Sequence, residues 1–404
     1  MRFHTYKEAE AWALGRKSIL VYFEPFAQAM NEVGNPQNEL RCIHVGGTNG
    51  KGSTSRFLYS ALSSNGKRVG LYTSPHLEHF RDRIRINDVW IPEEVFLSYA
   101  NQWHGVIEHH GLGLIGICTM FAFLWFREEQ VDVAVVEVSM GGRYDTTNVI
   151  TQPLCSVIAS IGMDHMEYLG NTLGEIAGEK AGILKPGCPA VIGTMKEEAR
   201  QVIVEEAEKI GASLHELGAF EEGNGHHFHY DNEEYEVTLS APYYKYDAAI
   251  ALCVLDLLGM DIHSASLKQA IASSVWPGRF ETVAEQPRIL LDGAHNPDGM
   301  NALKDACRDV SHPLIGVFSA LKDKQGPAMR EIMESFCDEV ITTSFENRRA
   351  DVTSHLGGER IVEDWKTALK EAIQLAGKNG TVVVTGSLYL ISIIRSYVKG
   401  EKST

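Results

Sequence analysis

Residues 41–53 have the sequence RCIHVGGTNGKGS, in which an apolar run is followed by four closely spaced glycines. Its apolar, β-branched first part predicts a short buried strand, and a helix is expected from about Ser53 to Asn65. The backbone N–H groups of the glycine-rich turn between them can surround a phosphate at the start of the helix. Lys51 can neutralise the phosphate charge, and the Ser53 hydroxyl is placed to bind Mg²⁺ as a P-loop hydroxyl does. Gly52 breaks the strict P-loop pattern, but the stretch still predicts a phosphate site.

Further strands predict two parallel sheets. The runs at 131–138 and 155–161 are continuously apolar, which is typical of strands covered on both faces. Short apolar strands follow at 289–291, 315–318, 339–341 and 381–384, with helices between them. The predicted fold class is α/β, with an N-terminal P-loop-type ATPase domain on a mostly parallel sheet and a smaller, Rossmann-like C-terminal domain.

Local composition places the domain boundaries. The first domain is predicted at 1–274, with a small antiparallel hairpin near 226–244, and the second at 280–404. The turn formers Pro277 and Gly278 predict a hinge at 275–279. The histidines at 226, 227 and 229 are interpreted as a solvated hairpin flank, because no carboxylate or cysteine lies at ligand spacing.

Charge and cysteine content exclude several classes of protein. A net charge of -16 over 404 residues argues against broad nucleic-acid binding. The seven scattered cysteines predict reduced thiols, with neither a disulfide framework nor a zinc site. The N-terminus lacks an apolar signal segment, and the longest apolar stretch, Met120–Phe126, is too short for a bilayer. We therefore expect a cytoplasmic protein with no membrane or nucleic-acid partner.

The glycine-rich segment at 46–53 is called the phosphate loop below. Several further sequence blocks follow it along the chain. They are LYTSPHL (71–77), EVSMGGRYDTTN (137–148), DH (164–165), EKAGI (179–183), PGR (277–279), DGAHNP (292–297) and GSLY (386–389). Together with GTNGKGS (47–53), this series resembles the folylpolyglutamate and dihydrofolate synthases, a branch of the Mur ligase superfamily. The resemblance implies an ATP-dependent ligase that adds L-glutamate to a folate-type carboxylate through an acyl phosphate, and that is monomeric.

The resemblance also implies roles for individual residues. It makes Glu137 a metal ligand, whereas its place in an apolar strand also permits a buried ion pair. It implies that Lys180 carries CO₂ as a carbamate near two Mg²⁺ ions. The implied metal ligands are Ser53, Ser74, Glu137 and His165, and the implied catalytic residues are Lys51, Lys180 and His165. The implied ATP contacts are Thr48, Asn49, Gly50, Lys51, Gly52, Ser53, Arg279, Asp292 and His295. The candidate substrate contacts are Thr119, Arg143, Asp145 and Ser387.

Departures from the family pattern leave the acceptor open. Residues 243–247 replace a His-Gln-x-x-Asn block, and Asp247 can accept a hydrogen bond but cannot donate one as Asn would. Residues 115–119 lack the acid of a Phe-Glu-x-x-Thr segment, and Ser139, Met140 and Tyr144 also differ. A Mur-type ligase with another carboxylate acceptor and a catalytically silent nucleotide-binding paralogue are the alternatives. A switch GTPase is disfavoured, because the chain has no Asn-Lys-x-Asp motif.

Overall fold

The computed structural model describes residues 3–16 and 23–400, and its largest element is an eight-stranded sheet. The strands are β1 (Cys42–Gly46), β2 (Val69–Tyr72), β3 (Ile84–Ile86), β4 (Val89–Trp90), β5 (Val133–Glu137), β6 (Cys155–Ile158), β7 (Pro189–Ile192) and β8 (Ser213–Glu216). Their spatial order is β4-β3-β2-β5-β1-β6-β7-β8. Strands β2, β5, β1, β6, β7 and β8, in this spatial order, pair in parallel. Strands β3 and β4 add an antiparallel edge next to β2.

Helices cover this sheet and form the rest of the first lobe. They are α1 (Tyr6–Leu14), α2 (Phe23–Glu32), α3 (Lys51–Ser64), α4 (Glu93–Gln102), α5 (His104–His109), α6 (Leu114–Glu128), α7 (Met166–Leu169), α8 (Leu173–Ala181), α9 (Glu197–Ile210), α10 (Pro242–Leu257) and α11 (Ala265–Ala272). Short 3₁₀ turns occur at Pro36–Glu39, Phe80–Arg83 and Thr146–Val149. Helix α6 is buried on all sides from Gly116 to Phe126, as expected for a helix with no polar face.

A small antiparallel sheet lies between β8 and α10. Its strands are β9 (Phe220–Glu222), β10 (His227–Tyr230) and β11 (Glu233–Glu236). The chain becomes helical at Pro242, because proline at the first helical position loses no hydrogen bond. The end of the stretch at 226–244 is therefore helix rather than strand.

The second lobe contains a six-stranded sheet and its helices. The strands are β12 (Glu281–Glu285), β13 (Arg288–Leu291), β14 (Leu314–Phe318), β15 (Glu339–Ser344), β16 (Arg360–Asp364) and β17 (Thr381–Thr385), in the spatial order β12-β13-β17-β14-β15-β16. The helices are α12 (Pro297–Ala306), α13 (Gly326–Glu334), α14 (Thr353–Leu356), α15 (Trp365–Ala376) and α16 (Leu388–Lys399). The sheet is parallel except for β12.

These features confirm the predicted α/β fold class. Residues 41–53 form β1 and the first turn of α3, with the glycine-rich turn at the carboxyl end of β1. Strands β5 and β6 flank β1, so the segments that follow all three strands meet at one edge of the sheet. Open parallel sheets bind ligands at such an edge, where neighbouring connections diverge. Within the described residues, no helix is long and apolar enough to cross a membrane.

The position of α3 depends on its apolar face. Phe57 is fully buried, and its ring centroid lies 4.7 Å from that of Tyr244 on α10. We expect Phe57→Ala to lower the free energy of unfolding by about 3–5 kcal/mol, because truncation of a buried Phe leaves a cavity. Urea unfolding followed by circular dichroism measures this change. The control Val89→Ala removes a side chain that is 61% exposed and should change stability by less than about 0.5 kcal/mol. A loss below about 1 kcal/mol for Phe57→Ala would contradict the prediction.

Candidate active site

The phosphate loop lies at the bottom of a cleft between the two lobes. The cleft has a cavity volume of about 250 Å³. One wall comes from the loop, the end of β5 and α8, and the other comes from the segments after α11 and after β13. The cleft is lined by the sequence-predicted residues Thr48, Asn49, Gly50, Lys51, Gly52, Ser53, Ser74, Glu137, His165, Lys180, Arg279, Asp292 and His295.

Hydrogen bonds to the segment after β6 hold the phosphate loop in place. The Thr48 N–H donates to Ser160 O at 2.8 Å, and the Asn49 N–H donates to Ser160 Oγ at 2.9 Å. The Thr48 hydroxyl donates to Gly162 O at 3.1 Å and accepts from Gly162 N at 3.0 Å. Because α3 begins at Lys51, the N–H groups of its first turn have no partner within the helix and can bind an anion.

Two glycines allow the loop to lie this close to its neighbours. Gly50 has a φ of +84°, and a Cβ there would lie 2.4 Å from Oδ1 of Asp247. Gly47 has a φ of +137°, and a Cβ there would lie 3.1 Å from the nitrogens of Ala159 and Ser160. Both positions therefore require glycine for conformation and for space.

Two lysines bring positive charge to the loop. Nζ of Lys51 donates to the carbonyl oxygens of Gly47 and Thr48, each at 3.0 Å. Nζ of Lys180, on α8, donates to the same Gly47 oxygen at 2.8 Å. Burial lowers the pKa of Lys51, and burial together with the charge of Lys51 lowers the pKa of Lys180 to about 7. The amine of Lys180 is thus partly uncharged near neutral pH.

The other side of the loop carries oxygen groups that suit a hard cation. Glu137 ends β5, and its carboxylate accepts a hydrogen bond from Ser74 N at 3.3 Å. Burial raises the pKa of Glu137 to about 7. The buried Ser53 hydroxyl makes no hydrogen bond of ordinary geometry to the described residues, although it interacts with the carboxyl of Asp247. A buried hydroxyl and a buried carboxylate that line the same cleft match the oxygen ligands that Mg²⁺ prefers.

His165 lies at the interface between the two lobes. It has a φ of +50° just before α7, and its Nε2 lies 3.2 Å from Nζ of Lys324, which belongs to the second lobe. Burial lowers the pKa of His165 to about 4, so the neutral ring accepts this hydrogen bond. One ring nitrogen of His165, a residue implied as a metal ligand, therefore contacts the amine of Lys324 in this structure.

The second lobe supplies a turn that is fixed by its own hydrogen bonds. Oδ1 of Asp292 accepts from Ala294 N at 2.9 Å, and Oδ2 accepts from Phe280 N at 2.9 Å and from the Tyr243 hydroxyl at 2.5 Å. Nδ1 of His295 donates to Gly293 O at 2.7 Å. These contacts direct the turn towards the phosphate loop and connect it to α10 of the first lobe.

Known domains and relatives match almost the whole chain. Residues 114–261 match the Mur ligase middle domain, and residues 278–388 match the Mur ligase glutamate ligase domain. A dihydrofolate synthase/folylpolyglutamate synthase from Bacillus subtilis is 37% identical, covering 98% of this chain and 100% of that protein. A folylpolyglutamate synthase from Lacticaseibacillus casei is 32% identical, covering 93% of this chain and 94% of that protein. The chain belongs to the folylpolyglutamate and dihydrofolate synthase family.

Solved structures of family members have the same fold. The Mycobacterium tuberculosis folylpolyglutamate synthase complexed with ADP gives a TM-score of 0.89 at 28% identity, over 97% of this chain and 98% of that one. Escherichia coli FolC in complex with DHPP and ADP gives 0.89 at 27% identity, over 99% of both chains. The predicted family and the predicted class, an ATP-dependent ligase, are confirmed.

The four candidate substrate contacts of this family member do not line the cleft. Thr119 is buried in α6, where its hydroxyl contacts those of Tyr72 and Thr146. The Arg143 guanidinium donates to Gly178 O and to Glu206. The Asp145 carboxylate accepts from the backbone N–H groups of Ser139, Met140 and Thr147, and Ser387 caps α16. Here these side chains shape loops and helix ends, and their contact with substrate stays a prediction.

Three further residues at the interface between the lobes were missed as functional residues of this family member. Asn296 and Lys324 of the second lobe each donate a hydrogen bond to the carboxylate of Asp164 in the first lobe. Asp164 and Asn296 lie inside blocks that the sequence identifies, but their pairing depends on how the lobes meet. Lys324 lies in LKDK (321–324), which is typical of a solvated loop. The one available signal was its position after β14, at the carboxyl edge of a parallel sheet.

The close contact at Gly50 provides a test of the phosphate site. We expect Gly50→Ala to raise the Kd for ADP about a hundredfold, because the added Cβ collides with Asp247 and displaces loop N–H groups worth roughly 2–3 kcal/mol. Isothermal titration calorimetry measures the Kd. Gly66→Ala is the matched control, because Gly66 has a φ of +74° but no atom within 4 Å of an added Cβ. Equal loss of ADP affinity in both variants would contradict the steric explanation.

Proposed function

We propose that this chain uses ATP to join L-glutamate to a folate-type carboxylate through an acyl phosphate. The observation that carries the proposal is the convergence of Lys51, Lys180, Ser53 and Glu137 on one phosphate loop, opposite the second lobe. The names of the relatives support the substrates, and the ADP-bound structures support the nucleotide.

The chemistry explains why the site needs a cleft. A carboxylate oxygen of the acceptor attacks the γ-phosphorus of ATP, the bond to the bridging oxygen breaks and ADP leaves. The amine of glutamate then attacks the acyl carbon, phosphate leaves with the electrons of its C–O bond, and the amine loses a proton to form the amide. The loop N–H groups and Lys51 offset charge on the transferred phosphoryl group. The second lobe covers the loop and excludes water, which would hydrolyse the acyl phosphate.

Magnesium fits the oxygen groups beside the loop. Ser53 and Glu137 would hold it, with Ser74 and His165 as the further proposed ligands of two ions. When bound, Mg²⁺ neutralises phosphate charge and orients the phosphoryl group for in-line attack. The buried hydroxyl of Ser53 and the buried carboxylate of Glu137 support this assignment.

The environment of Lys180 supports a carbamate. Carbamate formation requires an uncharged amine to attack CO₂, and burial has lowered the pKa of Lys180 to about 7. The product is an anion beside Lys51, so it would relieve the repulsion between two ammonium groups at Gly47 O. A carbamate would also add a carboxylate-like group where Mg²⁺ is proposed.

A different acceptor is the second candidate. Oγ of Ser139 is buried without a hydrogen-bond partner among the described residues, and Ser139 lines the cleft at a position where the family pattern has glycine. A hydroxyl there offers a polar contact that glycine cannot make. A silent paralogue is disfavoured, because Lys51, Glu137, His165 and Lys180 line one cleft. A monomeric state, a cytoplasmic location and the absence of a nucleic-acid partner stay predictions.

An ADP-release assay tests the ligase reaction. We expect release from ATP, Mg²⁺ and glutamate only when dihydropteroate or a reduced folate is added. Lys51→Met should lower kcat about 10²–10³-fold, because it removes a group that offsets transition-state charge. Lys209→Met is the control, since its side chain is 75% exposed on α9. No release with any folate-type acceptor would contradict the first candidate, and release with another carboxylate would favour the second.

Labelling with ¹³C-bicarbonate tests the carbamate. We expect a carbamate NMR signal in the unsubstituted protein that disappears in Lys180→Met and persists in Lys185→Met. Lys185 is the matched control, because burial also lowers its pKa but its amine donates to Asn148. Since the pKa of Lys180 is about 7, protonation should remove the signal as the pH falls from 8 to 6. A signal that survives Lys180→Met would contradict the assignment.

A further inference from the structure

The C-terminal ends of two helices in the first lobe bring three metal-binding side chains together. Glu32 is the last residue of α2, His109 is the last residue of α5, and His110 follows directly. Nε2 of His110 donates to Oε1 of Glu32 at 2.7 Å. One ligand atom from each of the three side chains lies within 4.8 Å of the other two. Within the part of the chain that the structure describes, no other three histidine, cysteine or acidic side chains meet that distance.

Both helix ends are fixed by backbone hydrogen bonds and by the core. Just beyond α2, the N–H of Asn35 donates to Met30 O at 2.8 Å, and just beyond α5 the N–H of Leu112 donates to Ile107 O at 2.9 Å. Met30, Ile107 and Leu112 belong to one buried apolar cluster. The backbone that carries the three side chains is therefore already ordered, which lowers the entropic cost of binding an ion.

The three donor atoms suit Zn²⁺ better than Mg²⁺. Two imidazole nitrogens and one carboxylate oxygen form an established ligand set for Zn²⁺, with water in the fourth position. Mg²⁺ and Ca²⁺ instead prefer sites made of oxygen ligands alone. The set contains no cysteine, so the scattered cysteines of the sequence do not bear on it.

The side chains need only small rotations to hold the ion. Donor atoms of a tetrahedral zinc site lie about 3.4 Å apart, because each bond to zinc is about 2.0–2.2 Å long. The side chain of His110 is only 8% exposed, whereas that of Glu32 is 48% exposed. His110 can therefore be the fixed ligand, while the exposed side chains of Glu32 and His109 adjust. The C-terminal end of the α2 dipole adds partial negative charge, which also favours a cation.

We propose that Glu32, His109 and His110 form a Zn²⁺ site that crosslinks the ends of α2 and α5. The ion takes the place of the proton between His110 and Glu32, and the neutral ring of His110 carries its proton on Nδ1 instead. The ion stabilises the folded first lobe, because the unfolded chain does not hold the three ligands together. None of the three residues lines the cleft between the lobes, so the site is independent of the proposed ligase function.

Isothermal titration calorimetry with ZnCl₂ tests the site on the full chain. The protein is first treated with EDTA and dialysed, and excess MgCl₂ is present to occupy oxygen-ligand sites in the cleft. We expect one tight Zn²⁺ site in the unsubstituted protein. Glu32→Gln, His109→Asn and His110→Asn should each raise its Kd about tenfold or more, because even the loss of an outer partner of a metal ligand costs that much affinity. His229→Asn is the matched control and should leave the Kd unchanged, since His229 also faces a glutamate, Glu234, at 4.0 Å but belongs to no three-ligand group.

Thermal unfolding separates an ion site from a hydrogen-bonded pair. Saturating ZnCl₂ should raise the Tm of the unsubstituted protein and of His229→Asn by roughly 3–6 °C, and should leave the Tm of His110→Asn unchanged. If the side chains form only a hydrogen-bonded pair, Zn²⁺ leaves every Tm unchanged, and that result would overturn the proposal. Equal Zn²⁺ affinity in all variants, or a loss confined to His229→Asn, would also overturn it. The exposed positions Glu32 and His109 keep the test valid if His110→Asn fails to fold.

Discussion

The attachment of the phosphate loop to the segment after β6 is the constraint on which the site depends. The hydrogen bonds from Thr48 and Asn49 to Ser160 and Gly162 fix the loop at the edge where β1 and its neighbours end. They require the backbone of the loop to lie against the next strand, which only glycine permits at Gly47. Burial of the loop then lowers the pKa of nearby lysines and raises that of Glu137. The electrostatics of the site therefore follow from a packing requirement.

Charge in the cleft is arranged locally and differs from the balance of the whole chain. The net charge of -16 argues against broad nucleic-acid binding, yet Lys51 and Lys180 converge on one carbonyl oxygen. Asp164 offsets a third cation, Lys324, at the opposite wall. Because interactions between buried charges are screened less than those at the surface, a few cationic groups suffice to bind a triphosphate to an acidic protein.

The sequence predicts those parts of the site that depend on short spacing or on strand ends. The stretch from Cys42 to Ser53 specifies a strand, a turn and a helix, and Glu137 could be assigned to the same sheet edge from its strand. The pair of Asp164 and Lys324 could not be predicted, because it depends on how two separately folded sheets meet. Thr119 shows the opposite limit, since its block was recognised but its hydroxyl contacts Ile115 O of the same helix and the hydroxyl of Tyr72 on β2.

Asp247 stands where the family pattern has Asn, and this replacement changes the hydrogen-bonding capacity of the position less than the change in formal charge suggests. As a carboxylate it could accept but not donate, which distinguishes it from the Asn of the family pattern. Asp247 is instead buried against Gly50, and burial raises its pKa well above 3.8, which favours the protonated carboxyl. A neutral carboxyl has one O–H donor and a carbonyl acceptor, so it offers both functions of the Asn amide. Burial beside the phosphate loop thus favours a carboxyl group that can both donate and accept a hydrogen bond at this position.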